Sequence, residues 1–314
     1  MLIRLVRTVV AGAINWDINL FIKGFPHEGE EVVVKRITRV PGGKAGNTSV
    51  AAARLLGHGQ AAIFGGLGKD SVGSQQTEIF EREGVITSGL KYCEEVESGQ
   101  AYIAIDDEGA NIIHTYSGAN AMITPEDLDD PARRELISEA TVITIMDPPF
   151  ETAIKLARMA KGLAKVVALD PGVKSELGVE KVRALLVNVD YVVANEHEIV
   201  NLTGSTNPDA AAKRIAAANK RTKVVVKLGS KGCIMYSGKK RDVSPNLDLS
   251  STGLKVVNTV GCGDAFLGAF VAALSEGRSG LEAVRWGNCA GALKATSFET
   301  RGSPTREVLL KHVS

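Results

Sequence analysis

A rhythm limits the fold of this chain more than any single motif does. Short apolar runs, most of them ended by Gly, Asn or Asp, alternate with helical stretches at least seven times in 314 residues. The runs at 8–13, 141–146, 165–169, 191–194 and 223–228 are largely apolar, as expected of strands buried on both faces. Segments 151–161 and 209–219 between them have helical spacing. This alternation predicts an α/β, doubly wound, mainly parallel sheet covered by helices on both sides. Two stretches break the rhythm. Residues 18–40 alternate in polarity, and residues 98–117 contain two strands joined at Asp107, Glu108, Gly109 and Ala110. They predict a small β-sheet projecting from a single domain spanning 1–314, a lid.

Composition narrows the partners. Thirty-seven basic and 36 acidic residues leave a net charge of +1, which gives no bias toward nucleic acid or an anionic membrane. The apolar helix expected over 265–274 is about half a membrane span. The N-terminus lacks a signal-peptide layout, so a cytoplasmic protein is expected. Four scattered cysteines without a C-x-x-C pair, and five histidines that do not cluster, predict neither a disulfide framework nor a structural zinc site.

The stretch NTVGCGDAFLGAFVAAL, residues 258–274, carries the strongest chemical signal. Glycines before a helix leave unpaired backbone N–H groups beside the positive helix end, which makes an anion site. Asp264 in that position either caps the helix or serves as a general base toward a hydroxyl attacking a phosphoryl group. No G-K-[ST] follows the glycines, so this is not a Walker A loop.

Other strings permit two readings each. Asn15 and Asp17, at the end of the first strand, form an Asx turn or bind vicinal hydroxyls. Gly42, Gly43, Lys44 and Asn47 belong either to a loop that caps the helix over 48–56 or to a backbone wall against a polar small molecule. Asn195 and Glu198 begin a helix as a cap, or offer hard oxygens to Mg²⁺. Gly229, Ser230, Lys231 and Gly232 make a tight turn after the strand at 223–228.

Taken together, these strings resemble the ribokinase/PfkB carbohydrate kinase family, and the ribokinase-like subgroup most. NTVGCGD is similar to the family's D-T-x-G-A-G-D, GGKAGN to its G-G-K-x-x-N, and Gly12 with Asp17 to its G-x-x-x-x-D. Gly65, Gly68, Asp70 and Gly73 match a further pattern read as architecture, and Gly118, Ala119 and Asn120 match the G-A-N after the lid. The resemblance spans about 8–310 and implies a ribokinase-like fold and phosphoryl transfer from ATP to a primary hydroxyl of a pentose or similar sugar. It makes Asp264 the base and Gly261, Cys262 and Gly263 the anion hole. Asn15, Asp17, Gly42, Gly43, Lys44, Asn47 and Asp147 become acceptor contacts, Asp147 standing where the subgroup usually has Glu. Asn195, Lys227, Gly229, Ser230, Lys231, Gly232, Gly263 and Asn288 become ATP contacts, and Glu198 holds Mg²⁺ through water. The segment Thr300, Arg301, Gly302, Ser303 and Pro304 resembles a loop completing a K⁺ site, to which Asn258 would contribute, although it lacks the charge of the family's Asp. A homodimer through the lid is a further implication. A nucleoside kinase or fructokinase of the same fold is the alternative, and a non-catalytic sugar-binding regulator would have lost Asp264 or the glycines.

Overall fold

The computed structural model describes residues 6–313. Its large sheet runs in the order β14 (Lys240–Ser244), β13 (Cys233–Ser237), β12 (Lys223–Lys227), β11 (Tyr191–Asn195), β10 (Val166–Asp170), β9 (Val142–Met146), β1 (Thr8–Gly12), β4 (Ala61–Gly68) and β5 (Val85–Ile86). A short strand, β6 (Leu90–Cys93), also pairs with β4. From β12 to β5 neighbouring strands are parallel, and β13 and β14 are antiparallel additions at one edge.

Side chains alternate along each strand, and both sets are buried. Val10, Ile63, Val193 and Val225 point into a core with the helices Lys44–Leu56, Cys262–Ser275 and Gly280–Lys294. Val9, Ala62, Val192 and Val224 point into a second core with the helices Phe150–Gly162 and Pro208–Ala218. Burial on both faces explains why these strands read as unbroken apolar runs rather than alternating ones.

The small sheet has the order β3 (Arg36–Gly42), β2 (Asn15–Phe21), β7 (Gly99–Ile105) and β8 (Asn111–Tyr116). Its register puts Asp17 opposite Val40 and Ala101, so Asp17, Asn19, Thr38, Val40 and Ile103 share one face. Ile18, Ile37, Tyr102 and Ile112 lie on the other.

Three expectations are corrected. Asn15 and Asp17 follow the first strand, β1, as expected, but in a second strand and not an Asx turn: they lie on β2, in the small sheet. Residues 32–34, despite their β-branched side chains, are outside it: antiparallel pairing runs only from Phe21 with Arg36 to Asn15 with Gly42. The helix expected from residue 48 begins at Lys44, because Gly43 at φ +84° turns the chain into it without a side-chain cap.

Candidate active site

Two helices meet at the C-terminal edge of the parallel strands. The first, Cys262–Ser275, is preceded by Gly261 in the left-handed region at φ +84°. A Cβ on Gly261 would stand 2.3 Å from the Thr300 carbonyl oxygen, so the turn admits only glycine. This helix is buried nearly all round and crosses Lys44–Leu56 closely at Gly268, where a Cβ would come within 2.5 Å of the Ala51 Cβ.

That close crossing sets the chemistry one turn above it. Asn47 Nδ2 donates to Asp264 Oδ2 at 2.8 Å, and Thr48 Oγ1 donates to the Asp264 carbonyl at 3.3 Å. Asp264 therefore does not cap its helix, and Asn47 does not cap its own; the two side chains pair across the helices. Burial pushes the Asp264 pKa up to about 6, against the Asn47 hydrogen bond and the Lys44 charge, with Asp170 adding to the rise.

The Pro41–Gly42–Gly43 turn presses against the start of β2. A Cβ at Gly42 would lie 2.2 Å from the Asp17 carboxyl, and one at Gly43 would lie 2.4 Å from the Asn15 backbone nitrogen. Asp17 is buried, and burial raises its pKa to about 7; the Arg301 guanidinium opposes that rise and the Asp264 charge reinforces it. Asn15 Oδ1 accepts from Asn120 Nδ2 at 2.9 Å. The Asn120 side chain also clasps both backbone groups of Ile14 at 2.9 Å, which ties the small sheet to the end of β1.

Lys44 reaches the other way. Its ammonium lies 2.8 Å from Asp170 Oδ1 and 2.9 Å from Glu198 Oε1. Burial alone would lower its pKa, but Asp170, Glu198 and Asp147 together hold it above the usual lysine value. Lys227 Nζ stands 3.4 Å from Asp170 Oδ2. Burial works against ionising Asp170, yet these two lysines keep its pKa below the ordinary value. Asn195 and Glu198 form a reciprocal capping box, with bonds of 2.8 and 2.9 Å, so the capping arrangement is realised while Glu198 Oε1 turns to Lys44.

Beside this charge cluster opens a cavity of about 820 Å³, large enough for a nucleotide. Its lining includes Lys227, the turn Gly229–Lys231 with Gly232, the apolar Val256, Ala292 and Ala295, and, at its inner end, Cys262 and Gly263. An apolar slot that ends on a helix N-terminus has the chemistry of a base pocket leading to a phosphate site. Asn288 lines it too, but its Nδ2 donates to Ser244 O, Ser244 Oγ and Pro245 O, so the amide nitrogen holds the cavity wall and only Oδ1 is left to face a ligand.

A family model described as pfkB family carbohydrate kinase matches residues 7–306. The chain belongs to this family of carbohydrate kinases. It is similar to a protein named ATP-dependent ribose-1-phosphate kinase from Halopiger xanaduensis, 28% identical over 99% of each chain. It is similar to a ribokinase from Bacillus subtilis, 30% identical over 95% of this chain and 96% of the relative. Among solved structures, Arabidopsis thaliana ribokinase complexed with ribose and ATP superposes with a TM-score of 0.83, at 27% identity and 98% coverage of both chains.

Several residues of this kinase stand differently from expectation. Asp147, at φ +60°, turns its carboxylate toward the Gly172 turn, 3.3 Å from Lys174 Nζ, and its hydrogen bonds do not reach the group around Asp264. Burial raises its pKa, against Lys174 and Lys44. Asn258 uses its amide inside its own loop, donating to Phe298 O at 2.8 Å and accepting from Val260 N at 3.0 Å.

Two further residues belong to the site without standing out in the sequence. Arg301 is buried, stacks over Phe80, and donates to Asn47 Oδ1 at 3.0 Å and to the Gly42 carbonyl at 2.8 Å. Burial lowers its pKa to about 9, against Asp17, Glu83 and Asp264. Asp170 reads in the sequence only as the end of a strand, although a place at the ligand-binding edge of a parallel sheet is a signal of its own. Among the described residues no group of three His, Cys, Asp or Glu could cage a metal, and no helix is long and apolar enough to cross a membrane.

Proposed function

We propose that this carbohydrate kinase transfers the γ-phosphoryl group of ATP to the primary hydroxyl of a pentose, with ribose as the first acceptor to test. The observation that carries the reading is the position of Asp264, between the acceptor residues Asn47 and Asp17 on one side and the nucleotide cavity ending at Gly263 on the other. The names of the Bacillus and Arabidopsis relatives support ribose, and the complex of the Arabidopsis ribokinase with ATP supports the donor.

The acceptor lies against Asn15, Asp17, Gly42, Gly43 and Asn47, under the Asn19, Val40 and Ile103 face of the small sheet. Asp264, held by Asn47, takes the proton of the attacking hydroxyl; with a pKa near 6 it is mostly ionised at neutral pH and close enough to it to act as a base. The N–H groups following Gly261 receive the developing charge on the transferred group. Asn195, Lys227, Gly229, Ser230, Lys231 and Gly232 bind the nucleotide. The small sheet acts as a lid within one domain and excludes water during transfer.

Glu198 and Asp170 are hard oxygen donors whose carboxylates converge on the Lys44 ammonium, too few for a protein cage; Mg²⁺ carried chiefly by phosphates and water would take Glu198 as an outer contact through water. Bound there, Mg²⁺ would neutralise charge on the phosphate oxygens. Ile37, Tyr102, Ile112 and Tyr116 are exposed on the outer face of the small sheet, which supports pairing of two copies through the lid. Four cysteines without disulfides fit a cytoplasmic enzyme.

A coupled ADP-release assay over ribose, ribose 1-phosphate, fructose, adenosine, inosine and cytidine tests the acceptor. The highest kcat/KM is expected with ribose; a hundredfold preference for ribose 1-phosphate, a nucleoside or fructose would replace it by that acceptor.

A further inference from the structure

The helix Gly280–Lys294 ends on a lysine that is wholly buried. Its ammonium donates to the Asn258 carbonyl at 2.9 Å and to the Ser297 carbonyl at 3.4 Å. Among the described residues it has no carboxylate partner in an ion pair. A buried ammonium is costly unless its hydrogens find acceptors; here two loop carbonyls, of Asn258 and Ser297, accept from it, while burial lowers its pKa against the pull of Asp264.

Its place is as telling as its burial. Asn258 opens the segment that leads to the phosphoryl-binding turn. Val257 N and Asn258 N both donate to the Ala295 carbonyl, at 2.8 and 3.1 Å, and the Asn258 amide donates to Phe298 O. Gly261 rests on the Thr300 carbonyl. The ammonium thus joins the two backbone segments beneath the turn, close enough to Asp264 to feel its charge. A monovalent metal ion at Asn258, implied by the family resemblance, does not fit this arrangement: its carbonyl oxygen already faces a cation, and its neutral side chain is spent within the loop.

We propose that Lys294 is a built-in cation beneath the phosphoryl-binding turn, a positioning residue that replaces a monovalent metal ion and makes turnover independent of K⁺. This rests on the kinase reading of Asp264 and its turn.

The test begins with the wild-type protein and K⁺ exchanged for tetramethylammonium at constant ionic strength. Turnover is expected to change less than about twofold, and the thermal midpoint and the ADP affinity by calorimetry to stay where they were. A tenfold activation by K⁺, or a K⁺-specific rise in midpoint, overturns the proposal. In Lys294→Ala, kcat is expected to fall about tenfold or more with acceptor KM little changed, and K⁺ or ethylammonium, but not tetramethylammonium, restores part of it. Unchanged kcat, or loss without rescue in a folded variant, also overturns it. Where the variant does not fold, the wild-type midpoint and ADP titrations decide. Those two readouts need no acceptor, so they stand apart from any failure of the sugar assignment.

Discussion

Asn47 and Asp264, 217 residues apart in the chain, share a 2.8 Å hydrogen bond from amide nitrogen to carboxylate oxygen. Arg301 grips the oxygen of the same amide at 3.0 Å. With that oxygen bound to a guanidinium, the Asn47 nitrogen has to face the carboxylate, and the carboxylate oxygen left over is free for a hydroxyl.

Replacing Asp264 by Asn should lower kcat at least about a hundredfold, the scale of losing a general base, while leaving ADP affinity within a few fold. Steady-state ADP release and calorimetry measure the two quantities. Near-normal turnover would remove Asp264 from its role.

The acid side of the pH profile should be set by two carboxyls. With Asp264 near 6 and Asp17 near 7, kcat/KM should decline as pH falls through that window, because the base must be ionised in the free enzyme. A profile flat down to pH 5 would contradict it.

The same raised values bear on stability. A folded-state pKa above the usual 3.8 means that the native protein holds the Asp17 proton more tightly than the unfolded chain does. The contribution is present at low pH and is lost as pH rises through about 7. The midpoint of wild type relative to Asp17→Asn should therefore decrease between pH 5 and 8 in a set of thermal melts; a constant difference would speak against it.

Gly42→Ala and Gly268→Ala separate acceptor binding from helix packing. The first places a methyl group on the Asp17 carboxyl and should cut kcat/KM about tenfold or more with little change in midpoint. The second forces apart the helices that align Asn47 with Asp264 and should cost about 1–3 kcal/mol of stability as well as turnover. Denaturant unfolding beside kinetics distinguishes them.

Arg301→Met keeps the apolar stem over Phe80 but releases Asn47 Oδ1 and the Gly42 carbonyl. Turnover should drop about tenfold or more, and the acid limb should move to higher pH, since the charge that restrains the Asp17 pKa is gone. An unmoved limb would make Arg301 a packing residue only.

What can be read from the sequence is contiguous. GGKAGN and NTVGCGD each lay out several site residues in a row, and the buried strands announce themselves by unbroken apolar runs. Misreadings come where partners decide. The Val32, Val33, Val34 run has strong strand propensity but no neighbour to pair with, whereas Asn15 and Asp17 are strand residues because β3 and β7 flank them. Asp264 is a cap or a base by its position alone, and only the bond from Asn47 sets aside the cap. Arg301 stands out only as part of a loop resembling a K⁺ site, and Lys294 gives no signal, because an Arg in a terminal loop and a Lys at a helix end look ordinary until their burial is known.

Lys44 opens the helix that follows the Gly42–Gly43 turn of the proposed acceptor site, yet its ammonium is moored on Asp170 and Glu198 at the edge of the proposed nucleotide site. One side chain therefore spans both half-sites. In the proposed reaction, phosphates or a divalent ion competing for those carboxylates would loosen its mooring, and a sugar that firms the Gly42–Gly43 turn would tighten it. In the proposed reaction each ligand would then alter the affinity the other meets, linking occupancy of the two half-sites through a single lysine.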